Sequence, residues 1–190
     1  MTSLHNIITE KLNLYEAHYA RLLELSERKT FSKKEILLEE GKTCIFMGFV
    51  EEGVLRSYRE KEGEEFISDF YVQGSFITSY RSFLNAEPSV GVIQALTDSR
   101  VLLLSRTNYD LLLNESPDWY KWGKYIADTL FIKKCIKETS LLMDSALERY
   151  RLLLKTYPQI EQHVTQYHIA SYLGIKPESL SRLKSLNLHQ

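Results

Sequence analysis

The chain has 190 residues, 44% of them hydrophobic and 26% charged, which is enough apolar material for a packed core and excludes a disordered tail. That length allows one large domain or two small ones. The formal net charge of −1 excludes a protein that coats nucleic acid through charge alone. The distribution is uneven, however. Residues 1–120 hold 13 Lys and Arg against 19 Asp and Glu, and residues 121–190 hold 11 against 6. The C-terminal part is therefore the one suited to attract phosphate. Two separated cysteines, Cys44 and Cys135, make neither a disulfide framework nor a metal cluster, and they suit a reducing compartment. Both read as small buried hydrophobes. Met1 to Asn6 carry no basic region followed by an apolar stretch, and no apolar run approaches the roughly 20 residues of a membrane span. The expectation is a cytoplasmic protein with no membrane partner.

In chain order, residues 4–27 show helical spacing, with Leu4, Ile7, Ile8, Leu12, Leu14, Tyr15, Tyr19, Leu22 and Leu23 on it. The pattern predicts one or two short helices with a break near Asn13. From Thr30 the period changes. Ile36-Leu37-Leu38, Ile45 to Val50, Val54 to Arg59, Glu65 to Val72, Val90 to Leu96 and Ser99 to Leu104 read as strands. Turn signals at Gly41, Gly53, Glu62-Gly63 and Gly74 separate them, which points to an all-β roll or barrel. After Ser105 the period is helical again. Thr107 to Glu115 is a short helix with Thr107 as its expected cap. Pro117 and Asp118 open a long one, from about Trp119 to about Leu142, spanning roughly 36 Å. Its apolar side is expected to hold Trp122, Tyr125, Ile126, Thr129, Leu130, Ile136 and Leu141, with Lys121, Lys124, Lys133, Lys134 and Lys137 outside. A long amphipathic helix between two parts of a chain suits a dimer seam. Asp144 to Tyr157 is a further helix, ended by Pro158.

Gln166 to Ser185 carries the chemistry. Thr165 is placed to cap a first helix, Gly174 falls at a turn, and Pro177 fits the first turn of a second helix. Ile169, Leu173, Leu180 and Leu183 sit where two crossed helices bury side chains against each other, and Ala170 permits a close crossing. This is the pattern of a helix-turn-helix; the plainer alternative is a helical hairpin. On the second helix Glu178 and Arg182 share a face. Arg reads guanine in bidentate fashion, Glu accepts from cytosine N4, and Ser179 can bond a phosphate or a base edge.

A β-roll, a long helix and a C-terminal helix-turn-helix together resemble the Crp/Fnr family of bacterial transcription regulators. The residues that carry the resemblance are Gly41, Phe49 to Arg56, Gly74-Ser75-Phe76 and Thr165 to Lys184. The tail from Ile169 to Arg182 is similar to that of short members from Bacteroidetes-type bacteria. The resemblance implies an α+β fold: a double-stranded β-helix or jelly roll of the cyclic-nucleotide-binding type over 1–116, a dimerisation helix over 117–142, and a helix-turn-helix domain over 143–190. It implies double-stranded DNA, a second copy of the chain and RNA polymerase as partners. Its DNA contacts map onto Gln166, Lys176, Glu178, Ser179 and Arg182. The β-wing that often follows is expected to be short, or replaced by the linker before Gln166.

The resemblance departs at the ligand site. The family's Gly-Glu pair for the ribose falls here at Thr78-Ser79, and its Arg-Ser or Arg-Thr pair for the cyclic phosphate falls near Ser89-Val90. A phosphate held without that Arg loses a charge-assisted contact, so the expectation is no response to cyclic AMP. Phe76, Tyr80, Arg81 and Ser89 are the candidate lining of a pocket for an unknown small-molecule effector; core packing is the competing reading of the aromatic ones. No iron–sulfur, haem or other cofactor is implied. Nor is an enzyme: a metal-dependent cupin needs His and Glu ligands on its strands, and His5, His18, His163, His168 and His189 all lie outside them. The remaining alternative is a ligand-binding or protein-interaction module whose helix-turn-helix does not read DNA.

Overall fold

The computed structural model describes the backbone of residues 3–187 and the side chains as far as Ser185. Helix α1 (Leu4–Asn6), capped by Ser3, runs into a π-helical turn, Ile7–Lys11, and α2 spans Glu16–Glu24. The expected break lies at Asn13, whose φ is 51°. Then come β1 (Ser26–Phe31), β2 (Ile36–Leu38), β3 (Phe46–Glu52), β4 (Leu55–Lys61), β5 (Glu64–Tyr71), β6 (Phe76–Ile77), α3 (Tyr80–Asn85), β7 (Val92–Ala95) and β8 (Ser99–Ser105). They form two antiparallel sheets with strand orders β1-β8-β3-β6 and β2-β7-β4-β5. Phe31, Val50, Leu55, Ile77, Phe83 and Val101 are among the buried side chains of the core. The turn from β3 to β4 needs Gly53: its φ is 90°, and a Cβ there would come within 2.2 Å of Ser99 Oγ.

Helix α4 (Arg106–Glu115) is capped by Ser105, whose Oγ accepts from Asn108 N at 3.1 Å. Thr107, the expected cap, lies inside the helix. Helix α5 (Asp118–Met143) has 26 residues and packs Trp119, Trp122 and Ile126 into the core. Its second half corrects the sequence expectation. Lys133 and Lys137 face the roll, while Ile136 and Leu141 stay half exposed beside the C-terminal helices rather than in the core. The reason is local: the outer strand β5 offers carbonyls and a carboxylate, and a lysine can lay its apolar stem along a packed face while its ammonium reaches them. Lys133 Nζ pairs with Asp69 Oδ1 at 3.0 Å and donates to Phe70 O at 3.1 Å. Lys137 Nζ donates to Ser68 O at 2.6 Å and lies 3.7 Å from the centre of the Tyr172 ring.

The chain continues through α6 (Ala146–Thr156), α7 (Ile160–His163), α8 (Gln166–Leu173) and α9 (Pro177–Asn187). Ser145 and Glu148 form a reciprocal capping box at the start of α6. Helix α7 occupies the stretch expected to be linker. Tyr150, Leu153, Tyr157, Ile160, Ile169, Leu173 and Leu180 join Val54, Tyr58, Ile67 and Phe70 of the roll in one apolar cluster, so these helices dock on the outer face of β4 and β5. Ser171 Oγ bridges the junction, donating to Glu65 O at 2.7 Å and accepting from Ile67 N at 3.0 Å. Among the described residues no helix is long and apolar enough to cross a membrane.

Burial lowers the Lys137 ammonium from its ordinary 10.5 to about 7, against the pull of Asp69. Below about 7 both native and unfolded chains hold this proton, so the cost of burying the charge is full; between there and 10.5 only the unfolded chain holds it, and native stability rises with pH. The Tm of the native chain minus that of Lys137→Met is therefore expected to rise from about pH 6 to about pH 9 in thermal unfolding. Parallel curves would mean that the ammonium is not desolvated.

Candidate nucleic-acid interface and ligand cavity

The last two helices have the geometry that the motif requires. Thr165 Oγ1 accepts from His168 N at 3.3 Å and caps α8. Gly174 ends α8 in the left-handed conformation with φ 66°, and its N–H and that of Ile175 return to the carbonyls of the last turn. Pro177 then opens α9. Ile169, Ala170, Leu173 and Leu180 are buried, Ile175 and Leu183 half-buried. With Leu180 inward, Glu178, Ser179 and Arg182 lie exposed on the outer side of α9, Lys176 is exposed just before it, and Gln166 is exposed at the first position of α8. Among the described residues no ion pair joins Glu178 to Arg182, four positions on along the same face.

Two positioning contacts were not legible in the sequence. Arg149 donates from Nε to Leu173 O at 3.0 Å and from Nη1 to Asp144 O at 2.8 Å, holding the end of α8. Lys184 pairs with Glu161 at 2.5 Å, and Glu161 also accepts from Tyr150 OH at 3.0 Å, which fixes α9 to α6 and α7. The only sequence signal would have been two cations in a helix-rich basic segment, which is not specific.

A cavity of about 360 Å³ opens between β4, β5, α3, β7 and α5. Tyr80, Arg81 and Ser89 line it. Phe76 does not: it is 5% exposed and packs edge-on against Phe49 and Tyr125 in the core. Its place is a correction to the candidate pocket: β6 pairs Phe76 with Phe49 of β3, which sets the ring on the face that Tyr125 of α5 covers. Phe83 is likewise core. Arg81 points to the rim, where it pairs with Glu87 at 3.3 Å. The two positions aligned with the family's ribose and phosphate pairs do meet in space, but as hydroxyls: Ser79 Oγ lies 2.9 Å from Ser89 Oγ, which donates to Gly91 O at 2.8 Å. Ser57 and Ser68 add further hydroxyls to the wall, and Arg59 and Lys134 add cations. Burial raises the Tyr80 phenol above its ordinary value, so it stays a donor. The sequence had not singled out Ser57, Ser68 or Lys134, because nothing in strand or helix spacing places them around one space.

Comparison with known proteins gives these shapes a context. Residues 28–116 match the family model of the cyclic nucleotide-binding domain. No curated protein matches the chain in sequence. Among solved structures, FixK2 of Bradyrhizobium japonicum superposes with a TM-score of 0.74 at 20% identity, covering 86% of this chain and 84% of that one. The c-di-GMP responsive global regulator CLP of Xanthomonas campestris does so at 0.71 and 17% identity, over 92% and 93%. A candidate Crp/Fnr transcriptional regulator from Eubacterium rectale reaches 0.70 at 18% identity, over 93% and 85%. Residues 28–116 thus match the cyclic nucleotide-binding domain, and the chain as a whole shares the fold of these three solved structures.

Proposed function

We propose that this chain is a DNA-binding transcription regulator of the Crp/Fnr type: a homodimer that reads a palindromic site with α9 and does not respond to cyclic AMP. The observation that carries the reading is the outer side of α9, where Glu178, Ser179 and Arg182 stand exposed while Leu180 is fully buried. Chemically that face offers a guanine reader, a cytosine acceptor and a hydroxyl, and Lys176 and Gln166 flank it for the phosphates. The roll over 1–116 then acts as the effector domain, 117–142 as the dimer helix and 143–190 as the reading head.

The dimer is supported by α5. At 100° per residue, Phe131, Ile132, Cys135, Leu142 and Met143 fall on the side opposite Trp119, Ile126 and Lys137. Phe131 is 70% exposed and Leu142 76%. An exposed apolar patch on a long helix, broken only by Thr139 between Phe131 and Met143 on that side, calls for a partner, and a second copy of the same patch would be self-complementary about a two-fold axis. Two recognition helices could then enter successive major grooves about 34–36 Å apart.

The absence of a response to cyclic AMP is supported by the Ser79–Ser89 pair, which places hydroxyls where a guanidinium would hold a cyclic phosphate. The cavity's volume, within the range of small-molecule sites, suits another effector. RNA polymerase is the expected further partner.

Selection of bound duplexes from random DNA is expected to enrich an inverted repeat with half-sites one helical turn apart. Arg182→Ala should cost about 1–3 kcal/mol on that site and relax base choice there. No enrichment, or equal loss on all sequences, would favour a module that does not read bases. Mild oxidation with copper–phenanthroline should join two chains through Cys135 on the seam; the covalent dimer should vanish in Cys135→Ser, while Cys44, only 2% exposed, stays unreacted. Cyclic AMP is expected to leave affinity for the selected site unchanged in a titration, and a strong response would overturn the reading of the cavity.

A further inference from the structure

Apolar packing is not all that holds α8 on the roll. Arg56 of β4 is 4% exposed. Its Nη1 and Nη2 pair with the two Glu65 oxygens at 2.5 and 2.7 Å, and its Nε and Nη2 donate to Gln94 Oε1 at 3.1 and 2.8 Å. The guanidinium lies 4.1 Å from the centre of the Tyr58 ring. The same Nη1 stands 2.7 Å from His168 Nε2 on α8. An arginine nitrogen has no lone pair to offer. Nε2 is therefore the acceptor, and the ring is neutral with its proton on Nδ1. Among the described residues that Nδ1 is buried without a hydrogen-bond partner. Glu65 Oε2 is 3.5 Å from Nε2. Arg56 from β4 and Glu65 from β5 are the charged groups that face the imidazole, Gln94 of β7 sits behind them uncharged, and α8 itself adds the Tyr167 ring at 5.8 Å.

We propose that Arg56, Glu65 and His168 form a proton-sensitive latch, which holds α8 on the roll while His168 is neutral and releases it when the imidazole takes up a proton. A proton on Nε2 turns the acceptor into a donor and sets two cations face to face. The imidazolium can then be served only by Glu65, whose carboxylate is already committed to both arms of Arg56. Relief requires α8 to move away. Because α8 orients α9, release reorients the reading face.

Burial, and then Arg56, hold His168 below its ordinary 6.5, with Glu65 opposing. The docked state therefore binds the proton less well than the released one. Docking is at full strength above about 6.5 and weakens as pH falls through the interval below it. The latch stands whether or not α9 reads DNA, and its test uses no DNA.

The test is amide hydrogen exchange of the full chain at about pH 7.5 and about pH 5.5, corrected for intrinsic rates. The reporter is Ile67 N–H, which donates to Ser171 Oγ across the junction; β8 amides serve as the control for global loosening. In the native chain Ile67 protection should fall about fivefold or more on acidification while β8 holds. In His168→Gln, which keeps an acceptor but cannot titrate, it should not change. Unchanged Ile67 protection in the native chain, or an equal fall in His168→Gln, overturns the latch. A proton-NMR titration of His168 in the native chain guards against a variant that fails to fold: a value below 6.5 that tracks the loss at Ile67 supports the proposal, and one at or above it overturns the proposal.

Discussion

Asp69 is the group on which the arrangement depends. It is a carboxylate on a strand, 4% exposed, and an unpaired charge there would cost several kcal/mol. It is paired by Lys133 Nζ at 3.0 Å from α5 and by the Tyr157 hydroxyl at 2.7 Å from the end of α6. Burial and the neighbouring carboxylate push the Tyr157 phenol far above its ordinary value, so it remains a donor. Roll, long helix and C-terminal helices therefore meet at one polar point. Apolar rings enclose it: Phe70 lies 6.0 Å from Tyr157 and 5.1 Å from Tyr172, centre to centre. Withdrawing any of the three elements would leave a buried charge short of partners, which makes their relative placement specific rather than merely favourable.

The β4–β5 hairpin does two jobs because of how it is paired. Its register runs Ser57↔Asp69 and then Tyr58↔Ile67, so Ser68 is the extra residue of a bulge. The bulge frees the Ser68 carbonyl, which accepts from Lys137, and it re-aims the side chains on either side. Ser57, Ser68 and Tyr71 face the cavity, while Arg56, Glu65 and Ile67 reach α8. A ligand in the cavity and a proton at His168 would thus act on the same two strands. In such an arrangement the roll can influence α8 within one chain, in addition to any route through a dimer helix.

Legibility followed the range of the forces. The helix-turn-helix was readable because its signals are local: a cap at Thr165, a left-handed residue at Gly174 and a proline at the start of α9. The roll was readable where apolar alternation is strong, as in β3 and β4. It was not readable at β1, whose residues Ser26 to Thr30 are polar and gain their order from pairing with Leu104 to Arg100 of β8. Nor was it readable at the two-residue β6 or at α3, which are too short for a period to register. Ser89 entered the candidate lining through the family pattern, and Tyr80, Arg81 and Phe76 through their nearness to it along the chain; the ring of Phe76 lies in the core instead, because a two-residue strand carries no period that shows which way its rings turn.

The C-terminal charge bias, the helical periods and the turn chemistry of Gly174 and Pro177 were determined by the sequence itself, since each depends on residues within a few positions of one another. Which side of α5 carries lysine inward, that Arg56 and His168 meet across 112 positions, and that Ser79 and Ser89 close on each other inside a cavity were decided only by the tertiary structure. The physical reason is that a buried polar group accepts whatever partner the packing brings within hydrogen-bond reach, and that partner's distance along the chain carries no periodic signal.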